Sequence, residues 1–100
     1  MEKRKRHYSL DILRELINKG DWKITRTATL NAWLDFKLLQ ADIRDVVLNL
    51  GTQDFYKSMT SYDAPFVWQD VYRPMVKGIM AYIKLSIMDD QTVVIQFKRK

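Results

Sequence analysis

Ten residues alternate without interruption, and they constrain the fold more than any other stretch. Ile79, Ala81, Ile83, Leu85 and Ile87 are apolar, and between them stand Met80, Tyr82, Lys84, Ser86 and Met88. A period of two puts the first group on one face of an extended chain and the second on the other. The Ile79 face must be covered, while the Tyr82–Lys84 face can stay bare. Asp89, Asp90 and Gln91 then turn the chain. Thr92 to Lys98 alternates again, with Val93, Ile95 and Phe97 predicted inward and Thr92, Gln96 and Lys98 outward.

The cover is written earlier in the chain. Ser9 is placed to cap a helix, Asp11 suits its first turn, and Leu10, Leu13, Leu16 and Ile17 recur at helical spacing before Gly20 stops it. That predicts a helix over Leu10 to Lys19. Trp22 and Ile24 alternate with Lys23 and Thr25, as in a short strand or an extended linker. Thr27 or Thr29 is expected to start a second helix with Leu30, Trp33 and Leu34 on its apolar face. Asp42 is expected to cap a third, carrying Ile43, Val46, Val47 and Leu50 and ended by Gly51.

After Gly51 the period changes. Thr52 to Thr60 reads as a strand, Ser61 to Pro65 as a turn, and Phe66 to Arg73 as a second strand. Pro65 biases Ala64 away from helix, and Pro74 to Gly78 is the next connection. Trp22, Trp33 and Trp68 are expected in the core, and Met75, Met80 and Met88 in packing. Helices first and strands later imply an α+β fold, N-terminal helices packed on an antiparallel sheet, in one domain over residues 1–100.

The open face of that sheet would carry Tyr82, Lys84, Gln96 and Lys98. On the strand before, either Gln69 and Arg73 or Trp68, Asp70 and Tyr72 could join them. Lys57 shares a strand face with Phe55 and Met59. Either it snorkels at a sheet rim, or it sits in a partly apolar cleft where desolvation lowers its pKa and makes it a better proton acceptor.

Composition narrows the chemistry. Lys and Arg number 17 against 12 acidic residues, a net charge of +5, which favours an anionic partner. Glu2 to His7 reads as a basic arm, either solvated or touching a nucleic-acid backbone. There is no cysteine, so no disulfide framework and no thiolate zinc site, which fits a cytoplasmic setting. No apolar run suits a signal peptide or a membrane span, so no membrane partner is expected.

One histidine, His7, rules out a two-histidine ribonuclease. The three glycines each end an element, so there is no phosphate loop. Asp63 with Asp70, or Asp89 with Asp90, are weak metal-ligand pairs, and neither a metal nor a cofactor is expected. What remains is a set of Lys, Tyr, Arg and Gln. Such groups can cut RNA if its own 2′-hydroxyl attacks the phosphorus. One group takes the 2′ proton, cations steady the phosphorane, and another group protonates the leaving oxygen.

Two runs, DFYKSMT at Asp54 to Thr60 and WQDVYRP at Trp68 to Pro74, resemble the MqsR mRNA interferase toxins of bacterial toxin–antitoxin pairs. The resemblance extends to MEKR at the start, TRTATLNA at Thr25 to Ala32, and Phe97-Lys98. It implies a RelE-like α+β fold with a twisted antiparallel sheet. It also implies ribosome-independent cleavage of messenger RNA at GC-containing sites, GCU above all, and hence inhibition of translation. The partner it implies is an antitoxin with a zinc-binding domain and a helix-turn-helix domain, through which promoter DNA is bound.

The family's catalytic positions fall on Lys57, Gln69, Tyr82 and Lys98. Tyr56 matches a residue implicated in RNA recognition, and Arg73 and Lys84 are further RNA-binding candidates. The turns at DAPF and MDDQ depart from the family pattern, which bears on cleavage-site preference. The rival from another class is a non-catalytic RNA- or DNA-binding regulatory module. A structural domain without salt-dependent RNA affinity is a third.

Overall fold

The computed structural model describes residues 1–100. Three helices follow local signals. Helix α1 is Leu10–Asn18, and the Ser9 Oγ accepts the Asp11 N–H. Helix α2 is Arg26–Phe36, starting one residue before Thr27 and three before Thr29, because Thr25 is the cap. Its Oγ1 accepts the Ala28 N–H and donates to the Ile95 carbonyl. Helix α3 is Gln40–Leu48. Asp42 is not its cap but its third residue, whose carboxylate reaches back to the Leu39 N–H at 2.9 Å. No helix is long and apolar enough to cross a membrane.

Seven strands form one sheet: β1 Glu2–Lys3, β2 Trp22–Ile24, β3 Phe55–Thr60, β4 Trp68–Tyr72, β5 Met75–Val76, β6 Ile79–Met88 and β7 Gln91–Arg99. The order is β1-β3-β4-β6-β7-β2, with β5 folded back on β6. All pairings are antiparallel except β2, which runs parallel to β7. The sheet is therefore mixed. The Thr52 strand start becomes a 3-10 turn over Thr52–Asp54, and Phe66 lies outside β4, almost fully exposed. Lys77–Gly78 and Asp89–Asp90 each have both φ positive, the geometry of tight two-residue hairpins.

The core lies between the helices and one sheet face. Leu13, Ile17, Ile43 and Val47 meet Ala81, Ile83, Leu85, Val94 and Phe97, and the Phe36 ring meets Phe97 edge-on at 5.8 Å. Helix α2 buries a different face from the one expected. Leu30, Trp33 and Leu34 are 54%, 45% and 57% exposed, while Ala28, Ala32 and Phe36 are buried against the sheet. Ala28 and Ala32 are fully buried where α2 packs on β7, so a larger side chain there must displace its neighbours. Ala32→Leu is expected to cost about 1–3 kcal/mol, read as a lowered denaturation midpoint. An unchanged midpoint would mean the helix has slack there. None of the three tryptophans is fully buried; Trp22 and Trp68 are half-buried.

A bulge decides which way β7 faces. Lys84 pairs with Gln96 but Leu85 pairs with Val94, leaving Ile95 as the extra residue. Before the bulge the alternation is therefore the reverse of the expected one. Thr92 points inward, donating from its Oγ1 to the Leu13 carbonyl at 3.0 Å, and Val93 turns to the far face opposite Ser86. After it, Gln96 and Lys98 face outward and Phe97 inward, as expected.

The basic arm is not a free tail. Glu2 and Lys3 pair with Met59 and Ser58 as an edge strand, and the Met1 carbonyl accepts the Thr60 N–H. The Asp70 carboxylate, fully buried, accepts the His7 N–H at 3.1 Å and the Tyr8 N–H at 2.9 Å. Asp70 is thus an anchor for the arm rather than half of a metal pair.

Candidate active site

The sheet face turned away from the helical core gathers the polar set, and at its β7 edge the Asn31 amide of α2 donates to Gln96 Oε1 at 3.0 Å. Residues directly opposite across a ladder share a face. Lys57 pairs with Val71, Val71 with Lys84, and Lys84 with Gln96, so one row crosses four strands on that face. In the next row Tyr82 stands opposite Lys98. Alternation from Val71 puts Gln69 and Arg73 on the same side and Asp70 and Tyr72 on the helix side. Gln69 is opposite Met59, buried beside the Lys57 row.

Tyr56 joins the face through a second bulge. Phe55 pairs with Tyr72 but Lys57 with Val71, so Tyr56 is the extra residue. The Arg73 guanidinium lies 3.6 Å above its ring centre, with the Lys57 ammonium at 5.4 Å and the Arg4 guanidinium at 5.5 Å. Tyr82 is flanked by cations too, with Lys98 Nζ at 5.5 Å and Lys84 Nζ at 5.8 Å from its ring centre. These distances suit cation–π attraction, which holds the long side chains over the sheet.

The lysines differ in electrostatic setting. Lys57, its side chain 16% exposed, is ion-paired with the Glu2 carboxylate. The hydrogen bond to Glu2 pushes its pKa above the ordinary lysine value, outweighing burial. Of the two alternatives for Lys57, the desolvated amine with a lowered pKa is the one that fails, because Glu2 arrives from a strand 55 residues away. Lys84 goes the other way. Burial first, then the charges of Lys98 and Lys57, draw its pKa below the lysine value. Tyr72, on the helix side, is removed from such chemistry, since burial first and Asp70 next push its phenol up to about 12.

The structure therefore brings Lys57, Gln69, Tyr82 and Lys98 onto one face with Tyr56, Arg73 and Lys84. Sequence reasoning missed Glu2 and Arg4 as neighbours of the set. The one available signal was that Glu2 is the lone acid in a basic arm. No three His, Cys, Asp or Glu side chains gather anywhere to hold a metal ion. The face can do three things: neutralise a phosphate, stack against a base, and exchange protons through amines and a phenol.

Fold and face together define a small α+β protein with a row of lysines, an arginine and two tyrosines on one sheet surface. The chain belongs to the MqsR toxin family: the family model described as "Motility quorum-sensing regulator, toxin of MqsA" matches residues 5–99. It is 40% identical to the mRNA interferase toxin MqsR of Escherichia coli (strain K12), over 103 aligned residues that cover the whole of both chains. The α+β architecture that the resemblance implied is the observed one, with parallel β2 as the addition.

Proposed function

We propose that this protein is the toxin of a type II toxin–antitoxin pair and acts in the cytoplasm as a ribosome-independent, metal-independent endoribonuclease. Its substrate is messenger RNA, cut at GC-containing sites of the GCU kind. One observation carries the reading: Lys57, Lys84, Tyr82 and Lys98 occupy adjoining rows of the single sheet face turned away from the helical core. Lys57, Lys98 and Arg73 hold the scissile phosphate and its developing charge. Gln69 orients that phosphate, and Tyr82 protonates the leaving 5′ oxygen. Tyr56, backed by Arg73, offers its ring to a neighbouring base. Attack by the 2′-hydroxyl leaves 2′,3′-cyclic phosphate and 5′-hydroxyl ends.

The cognate antitoxin, with zinc-binding and helix-turn-helix domains, restrains the toxin and carries it to promoter DNA. Family membership and the 40% identical relative support the pairing and the RNA target. Mapping cuts on a defined transcript tests the reading. Discrete GC-containing cuts are expected, equal in number and rate with excess EDTA. Loss of cutting on chelation would overturn metal independence. Tight, salt-dependent RNA binding without any cut would replace the enzyme by a binding module.

A further inference from the structure

Cleavage on this face needs a proton acceptor for the 2′-hydroxyl besides the Tyr82 donor and the cations. Lys57 is poorly suited, because an anion always faces it, Glu2 before RNA binds and phosphate afterwards, and either keeps its amine protonated. The contact with Glu2 is one of the two ion pairs in the molecule, the other being Arg14 with Asp11 on α1. Lys84 has no such partner. It lies half-buried in the middle of the row, with uncharged Val71 on one side and uncharged Gln96 on the other. The charged and titratable groups that face it are Lys57 from β3, Lys98 from β7 and Tyr82 from its own strand. Two of these are ammonium groups and none is a carboxylate.

We propose that Lys84 is the catalytic base, the group that takes the proton from the attacking 2′-hydroxyl, while Glu2 keeps Lys57 in the cationic role. This inference rests on the ribonuclease reading of the same face. An amine that is partly desolvated, without a counterion and beside two like charges, gives up its proton before its neighbours do. Its lowered pKa agrees with that placement. Such an amine works best as a base when its pKa approaches the working pH.

The step balances. The neutral Lys84 amine takes the 2′ proton as the 2′-oxygen bonds to phosphorus. The bond from phosphorus to the 5′ oxygen breaks, and that oxygen takes a proton from the Tyr82 phenol. Lys84 ends as ammonium and Tyr82 as phenolate, and solvent returns the proton from one to the other. The 5.8 Å between Lys84 Nζ and the Tyr82 ring centre lets both reach one phosphodiester.

Arginine separates a base from a cation at this position. It keeps the positive charge and cannot give up its proton near neutral pH. Lys84→Arg is assayed for cleavage of a defined transcript from pH 5 to 9, and for binding to a 2′-O-methyl oligonucleotide of the same sequence. The expected result is binding within about threefold of wild type and cleavage at least about 100-fold slower. The wild-type rate should rise with pH as Lys84 deprotonates, and the variant should lose that rise.

Because the larger side chain could disturb packing, Lys84→Ala is assayed beside it with added ethylamine. Partial recovery of cutting, growing with the concentration of free amine, is expected. Cleavage by Lys84→Arg near the wild-type rate, or no amine rescue of Lys84→Ala, overturns the base assignment alone. Wild-type protein that cuts no RNA at any pH overturns the ribonuclease reading beneath it.

Discussion

Lys57→Ala is expected to slow RNA cleavage about 10²- to 10³-fold, the loss seen when one preorganised charge donor is removed from a reacting centre. Lys57 begins the row that reaches Lys84 across β4, and its ammonium is held cationic by Glu2. A phosphate arriving on the face offers that ammonium an anionic oxygen in place of the Glu2 carboxylate oxygen. Displacing Glu2 is cheap, since the Glu2 side chain is 56% exposed and its carboxylate is readily taken up by water.

For the same reason the variant should fold normally. The carboxylate left behind is already in water, so no buried charge is stranded. Rates on a defined transcript and a thermal melt check both halves of the expectation. Undiminished cutting removes Lys57 from the mechanism, and a collapse of the melting temperature would make it a structural residue instead.

Asp70→Ala should have the largest effect on stability, a loss of about 3 kcal/mol, from two main-chain donors deprived of a charged acceptor. Asp70 is fully buried, and its two oxygens take the N–H groups of His7 and Tyr8 where the arm leaves β1 for α1. Alanine there leaves those donors unpaired and a gap beneath them. For a domain of this size the loss corresponds to a fall of roughly 10–20 °C in melting temperature.

The damage should spread to the far face. Once the arm is loose, β1 no longer holds Glu2 against Lys57, and amide protection over residues 2–8 should vanish while that of β6 and β7 stays. Asp70→Asn keeps one acceptor oxygen and should recover part of the loss. A melting temperature and arm protection equal to wild type in Asp70→Ala would show that β1 is held by its ladder with β3 alone.

The departures from expectation share a cause. The sequence suggested Leu30, Trp33 and Leu34 as the buried face of α2, since bulk and apolarity are what periodicity measures. The sheet selected Ala28 and Ala32, because close approach to β7 rewards small side chains. Ile95 carries no mark of a bulge, yet slipping it out of register turns Thr92 and Val93 over. Asp70 read as a strand residue and half of a weak metal-ligand pair until the arm laid two N–H groups against it.

What the sequence determined by itself were features decided within a few residues. These are the Ser9 cap of α1, the helical stripe of Ile43 and Val47 in α3, the alternation of β6, and the outward pair Tyr82 and Lys84. Each depends on side-chain period or a cap's own neighbours, and so is readable in a short window. Only the tertiary structure decided that β2 runs parallel to β7, that the basic arm becomes an edge strand, and that Glu2 reaches Lys57 while nothing anionic reaches Lys84. Those outcomes depend on partners more than fifty residues apart, and a charge's neighbours set its chemistry only once the chain has brought them together.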